Sequence, residues 1–283
     1  MIIILKEEIN NNLEENNKEN NEENNDFKEA TQDDCLDSDD NNFVADTQKI
    51  FTPKPVEEKL ICALLVCFIS GFLDSYTYVL FDQIFANTQT GNLIFFAIHL
   101  VEGDYMDAIY RLAPILSFSL AIFITQFLIR FVVKDGQDSR KLVKSVILIN
   151  VILTILVGLG LFGQNDYFTN PNTQLGRSNL AIISSVCFMC GSILSIFKKT
   201  DSYVYAPIMF TGNIRALAET FSRFLLYKDK QEFKNFLLYL LLIIIFCGGV
   251  AIGLVAVKAF DFNSIYFVTI LFLITYGVVS KKD

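Results

Sequence analysis

The tripeptide Thr-Gly-Asn occurs twice, as Thr90-Gly91-Asn92 and Thr211-Gly212-Asn213. Each offers a hydroxyl that can cap a helix start, a glycine that permits close backbone approach, and an amide that both donates and accepts hydrogen bonds. A half-helix beginning inside a membrane leaves unpaired N–H groups and a positive dipole end. Those groups need a partner in protein, water or ligand. Two readings stand open. The tips form a polar, anion-friendly site, or they are structural caps that let helices pack closely. Asp74 adds a carboxylate inside an otherwise apolar run, six residues before its end, ~9 Å of helix. A charge at that depth is costly and marks a proton or cation site by default. The plainer alternative is a carboxylate bonded to a neighbouring hydroxyl such as Thr77 or Tyr78. Asn87 precedes the first tripeptide in FANTQTGN. Arg215 follows the second by two residues. It is a cation for Asp74 or a solute, or else it faces lipid headgroups and pairs with Glu219 one turn on. The candidate solute-binding set is therefore Asp74, Asn87, Thr90, Gly91, Asn92, Thr211, Gly212, Asn213 and Arg215.

Other chemistry is sparse. His99, the only histidine, lies near Glu102 and Asp104 and reads as an interfacial hydrogen-bonding residue. One histidine without a carboxylate cluster argues against a catalytic metal. Cys187 and Cys190 fall on an apolar stretch, where free cysteine is a small apolar residue. No phosphate loop, dinucleotide fingerprint or hydrolase elbow appears. The expectation is a protein without catalytic residues, metal or cofactor, and not an enzyme.

The elements that must position these residues are membrane helices. Six segments carry the roughly 20 apolar residues that a span needs: 60–80, 108–133, 142–163, 179–197, 233–259 and 263–280. Residues 86–101 and 204–226 are ambiguous, the first too short in its apolar half and the second carrying Arg215, Glu219 and Arg223. If both are re-entrant and the N-terminus is inside, seventeen basic residues from Lys49 onward lie inside and only Arg111, Arg177 and Lys258 outside, as the positive-inside rule asks. Seven spans, with 86–101 crossing, is the runner-up. Each half then reads as span, Thr-Gly-Asn element, span, span, over 60–163 and 179–280. An odd number of spans per half makes the second an inverted repeat of the first, a plan seen in transporters.

Composition agrees. Of 283 residues, 52% are hydrophobic and 19% charged, below the roughly one quarter charged in soluble domains, and mean hydropathy is +0.41. The net charge of −8 is unevenly placed. Residues 1–59 hold seventeen acidic and six basic side chains, the remainder fourteen and seventeen. This excludes a single soluble globule, a nucleic-acid binder with a basic face and a disulfide scaffold. The Asn-rich acidic stretch 1–59 reads as a disordered cytoplasmic tail. Gly249 and Gly253 make a small-xxx-small face for packing in the bundle or in a homo-oligomer.

GFLDSYTYVLFDQIFANTQTGNLIFFAIHL (71–100) resembles the hallmark segment of the YoaK family of bacterial membrane proteins, a domain of unknown function, and IFKKTDSYVYAPIMFTGNIRALAET (196–220) is similar to its second hallmark. The resemblance covers about 60–280. It implies a polytopic helical fold in a bacterial plasma membrane and brings no substrate. The combined expectation is an all-α protein of six spans in two inverted repeats. Its partners are the lipid bilayer and a small polar or ionic solute, and its activity is that of a permease. The alternative is a non-transporting membrane scaffold whose acidic tail recruits a soluble partner.

Overall fold

The computed structural model describes residues 59–81, 83–132, 140–161, 177–197, 199–200, 203–204 and 210–281. The expected disordered tail over 1–59 lies, but for Lys59, outside these residues. Eight α-helices account for nearly all of what is described: α1 Leu60–Leu80, α2 Gln89–Glu102, α3 Tyr105–Val132, α4 Arg140–Gly158, α5 Arg177–Ile196, α6 Phe210–Tyr227, α7 Lys230–Phe260 and α8 Ile265–Ser280. Lys199–Thr200 and Tyr203–Val204 form one short antiparallel pair, β1 and β2.

Among the described residues, four runs are long and apolar enough to cross a membrane: Leu60–Leu80, Tyr105–Phe131, Arg140–Gly158 and Lys230–Ser280. The last is divided into α7 and α8 by the 3-10 turn Asp261–Ser264, entered through Asp261 at φ 49°. A shorter apolar helix covers Leu180–Ile196. Leu116, Leu120, Phe123, Phe127 and Phe131 are exposed along α3, a stripe that water would not tolerate but acyl chains would. The protein is a helical membrane protein.

The two ambiguous stretches form short helices. The fourteen residues of α2 reach about 21 Å, short of the roughly 30 Å hydrocarbon core. Helix α6 keeps its charges on an exposed face, with Arg215 bonded to Glu219 and Arg223 to Glu232 of α7. Each short helix folds back on the next through the same kind of turn. Gly103 at φ 80° precedes Asp104, whose carboxylate accepts the Asp107 N–H, and Lys228 at φ 54° precedes Asp229, whose carboxylate accepts the Gln231 N–H. Aspartate at a helix start satisfies an amide that the helix leaves open.

Helix α1 packs most extensively on α7, and α3 on α5; α2 lies along α3, and α6 along α7; α4 packs on α8, with further contacts between α1 and α8, α4 and α5, and α1 and α5. Glycines set the closest approaches. A Cβ on Gly71 would strike the Phe246 carbonyl of α7, and one on Gly191 the Phe118 carbonyl of α3. Gly249 and Gly253 meet Phe68, Phe72 and Ser75 of α1, so this small-residue face serves packing within the chain. Polar pairs tie the other helices: Asn150 to Ser192, and Thr154 to Thr269.

Replacing Gly71 by Leu should therefore force α1 from α7 and cost about 1–3 kcal/mol or more. Gly277→Leu, into open space, should be close to neutral. Thermal unfolding in detergent measures both, and equal losses would contradict this account of the contact.

Candidate functional site

Between α1 and α2 the chain leaves helical geometry while surrounded by apolar side chains, with Phe81, Ile84 and Ala86 all buried. Main-chain groups exposed by such a break must be satisfied locally. Four side chains do this. The Asp74 carboxylate accepts the Asn87 N–H at 2.9 Å. Asn92 Oδ1 accepts the Phe85 N–H at 3.2 Å while its Nδ2 donates to the Phe85 carbonyl at 2.8 Å. Gln89 Nε2 donates to the Ala86 carbonyl at 2.8 Å. Arg111 of α3 donates to the Gln83 carbonyl at 3.2 Å, its guanidinium 4.8 Å from the centre of the Phe95 ring.

The polar groups are linked to one another. Asn87 Nδ2 donates to the Ser70 carbonyl at 2.8 Å, so a single residue, through its main chain and its side chain, bridges two successive turns of α1. Asn92 Nδ2 also reaches Gln89 Oε1 at 3.1 Å. The Gln89 side chain is within hydrogen-bonding reach of the Cys187 thiol on α5, and the Asp74 charge acts on both Cys187 and Cys190. A buried cluster thus joins the end of α1, the break, the start of α2 and the second half of the chain. Asp74 is 7% exposed, Asn87 2% and Asn92 0%, so lipid and bulk water are both excluded from it.

In both tripeptides threonine, glycine and asparagine occupy the second to fourth residues of their helix. Thr90 and Thr211 are exposed, whereas Asn92 and Asn213 are buried. Neither threonine stands at the cap position, and Thr88, which does, makes no side-chain cap bond. Asparagine rather than threonine fastens the first helix start. Gly91 lies against the Phe85 ring, while Gly212 faces open space. The structure does not bring the two tips into extensive packing, since α2 lies on α3 and α6 on α7. Arg215 is 82% exposed and 2.6 Å from Glu219, and holds that carboxyl below its usual range. The hydroxyls near Asp74 do not serve it: Thr77 Oγ1 donates to the carbonyls of Leu73 and Asp74, and Tyr78 is exposed.

The family model described as "Protein of unknown function (DUF1275)" matches residues 62–278. The chain belongs to this family. It is the YoaK family of the resemblance above, and it is an uncharacterised domain. No curated protein and no solved structure matches the chain. The matched span holds the whole Asp74–Asn92 cluster and both tripeptides.

Sequence reasoning did not reach Ser70, Gln89 or Arg111. Ser70 had a usable signal, one turn before Asp74 on the same helix face. Arg111 counts as an outward loop cation by sequence, but only 6% of it is exposed. His99 joins Asp104 and Asp107 at the α2–α3 turn, each offering one ligand atom within 4.8 Å of the others, and its Nδ1 lies 3.8 Å from Glu102.

Asn92→Ala should strand both Phe85 main-chain groups and cost about 2–4 kcal/mol, whereas Thr90→Ala should change little. Comparing their thermal midpoints in detergent checks this, and a larger loss for Thr90→Ala would overturn the assignment.

Proposed function

We propose that this protein is a plasma-membrane permease for a small polar solute or ion, built from two inverted three-span repeats with both termini inside. The observation that carries the reading is Asp74, a carboxylate buried on a membrane helix and fastened to an interrupted element. Intramembrane carboxylates belong by default to ion and solute pathways. Broken helices at membrane depth are where transporters place their binding sites.

The packing supports the repeat. Exchanging α1–α4 for α5–α8 turns α1 on α7 into α5 on α3, α2 on α3 into α6 on α7, and α1 on α8 into α5 on α4. The pairs α4–α8 and α1–α5 map onto themselves. The positions of both tripeptides, and of Gly71 and Gly191 against carbonyls of the exchanged helices, follow the same rule. In this reading α2 dips from outside and α6 lies at the inner face. The first element holds the solute site, with Asp74, Asn87 and Asn92 as its polar lining. Motion of one repeat against the other would expose that lining alternately to the two sides.

Purified full-length protein in liposomes should carry at least one member of a panel of small anions, amino acids, nucleobases and inorganic ions. Asp74→Asn should reduce that flux to the level of empty liposomes. Wild-type protein that moves nothing in the panel would sink the permease reading. For topology, cysteines replacing Tyr105 and Lys228 one at a time, in a background that lacks Cys35 and Cys247 and keeps only the buried cysteines, should label from outside cells at 105 only. External labelling at 228 would overturn the inverted arrangement.

A further inference from the structure

The Asp74 cluster holds more acceptor capacity than its hydrogen bonds use. Asn87 Oδ1 and Ser70 Oγ are buried and have no hydrogen-bond partner among the described residues, and their residues are 2% and 0% exposed. Ser70 shares this state with Ser195 and Ser280, but it is the one of the three that adjoins Asp74 and Asn87, and it differs from four other helical serines. Ser75, Ser145, Ser185 and Ser192 each return their hydroxyl to a carbonyl of the preceding turn at 2.8–2.9 Å. The residues that carry these oxygens adjoin one another. Ser70 and Asp74 lie one turn apart on α1, and Asn87 is fastened to both, its main-chain N–H to the Asp74 carboxylate and its side-chain Nδ2 to the Ser70 carbonyl. Its Oδ1 shares a carbon with that Nδ2, so it stays beside the same turn.

Among the described residues no Lys or Arg forms an ion pair with Asp74. A buried carboxylate needs a compensating positive charge or a proton. A proton on Asp74 supplies a single donor, and the Ser70 hydroxyl would then have to turn to Asp74 to be satisfied. A cation satisfies both orphaned oxygens and neutralises the carboxylate together. The donors are all oxygen, which selects a hard ion. A single negative charge matches a single positive one, whereas divalent ions gather more carboxylates or keep their waters.

We propose that the Asp74 carboxylate, Asn87 Oδ1 and Ser70 Oγ form a binding site for a small monovalent cation, Na+ by size and hardness, whose occupancy locks the start of α2 to α1. Its role as a coupling ion rests on the permease reading above; the binding itself does not. Because the Asn87 N–H and the ion share one carboxylate, loss of the ion would free the segment that carries Asn92.

The test uses full-length protein in detergent, unfolded thermally in sodium chloride against choline chloride at constant ionic strength and near-neutral pH, with lithium and potassium arms and with radioactive sodium binding. Wild type should be stabilised saturably by Na+. Asp74→Asn, which is already neutral and should fold, should lose the response. Ser70→Ala should raise the half-saturating Na+ concentration about tenfold, and Ser280→Ala should not. Indifference of the wild type to all three cations overturns the site, as does a full sodium response in Asp74→Asn, or stabilisation by acid alone. In liposomes, sodium binding without any flux removes the permease and leaves the site. Flux without any sodium binding removes the site and leaves the permease, and flux indifferent to sodium that still binds removes only the coupling role.

Discussion

A peptide chain that stops being helical in apolar surroundings must find a partner for every main-chain group it uncovers, and in this protein the residues between α1 and α2 do so with short main-chain turns at each end and with side chains between them. Asp74, Gln89, Asn92 and Arg111 between them satisfy main-chain groups of Asn87, Ala86, Phe85 and Gln83. Each unsatisfied group would cost several kcal/mol in a hydrocarbon setting. The break can therefore exist only where these four residues converge, which fixes the position of α2 and hence the α2–α3 hairpin.

The same constraint explains why the polar residues are of these types. Asparagine at position 92 can serve a donor and an acceptor of one residue at once, and it does so on both sides of Phe85. Serine or threonine could not hold both at the same geometry. A carboxylate at 74 accepts from the main chain of Asn87 and Ala86 and from the Asn87 side chain, and its charge is what the proposed site adds to a structural staple. An asparagine in its place would fasten Asn87 nearly as well. It would carry no charge for an ion to neutralise.

Much of the helical layout could be read from the chain because lipid imposes length and composition on every span. The run expected over 60–80 is α1 itself, and that over 108–133 became Tyr105–Val132. The Asp-capped hairpin turns extend helices beyond their apolar stretches, which is why such boundaries moved. Asp74 stood out because a carboxylate in an apolar run is conspicuous. Its partner did not, since Asn87 lies thirteen residues away across a break whose path no periodicity describes. The tripeptide was visible, but its working residue was misjudged. Threonine looked like a cap, whereas Thr90 is exposed and the buried Asn92 does the fastening, with Gln89 beside it. Arg111 was misplaced because charge counting treats a cation near a span end as solvated, and cannot see a ring and a carbonyl waiting for it.

In the repeat proposed above, the two halves differ most around the carboxylate. In the first, Asp74 faces the break, and Gly91 packs on Phe85. In the second, Leu194 and Ser195 take the place of the carboxylate, Gly212 is open, and α6 is longer than α2, eighteen residues against fourteen, with an exposed Arg215–Glu219 pair. A duplicated scaffold kept only for packing would gain nothing from a charge in one half, because a buried carboxylate costs more than the leucine it replaces. Retaining that cost on one side alone makes sense if a single site sits within a framework whose symmetry serves movement. On that view the second element is an interfacial counterpart against which the first can shift, and the asymmetry between Asp74 and Leu194 marks which side of the pair binds.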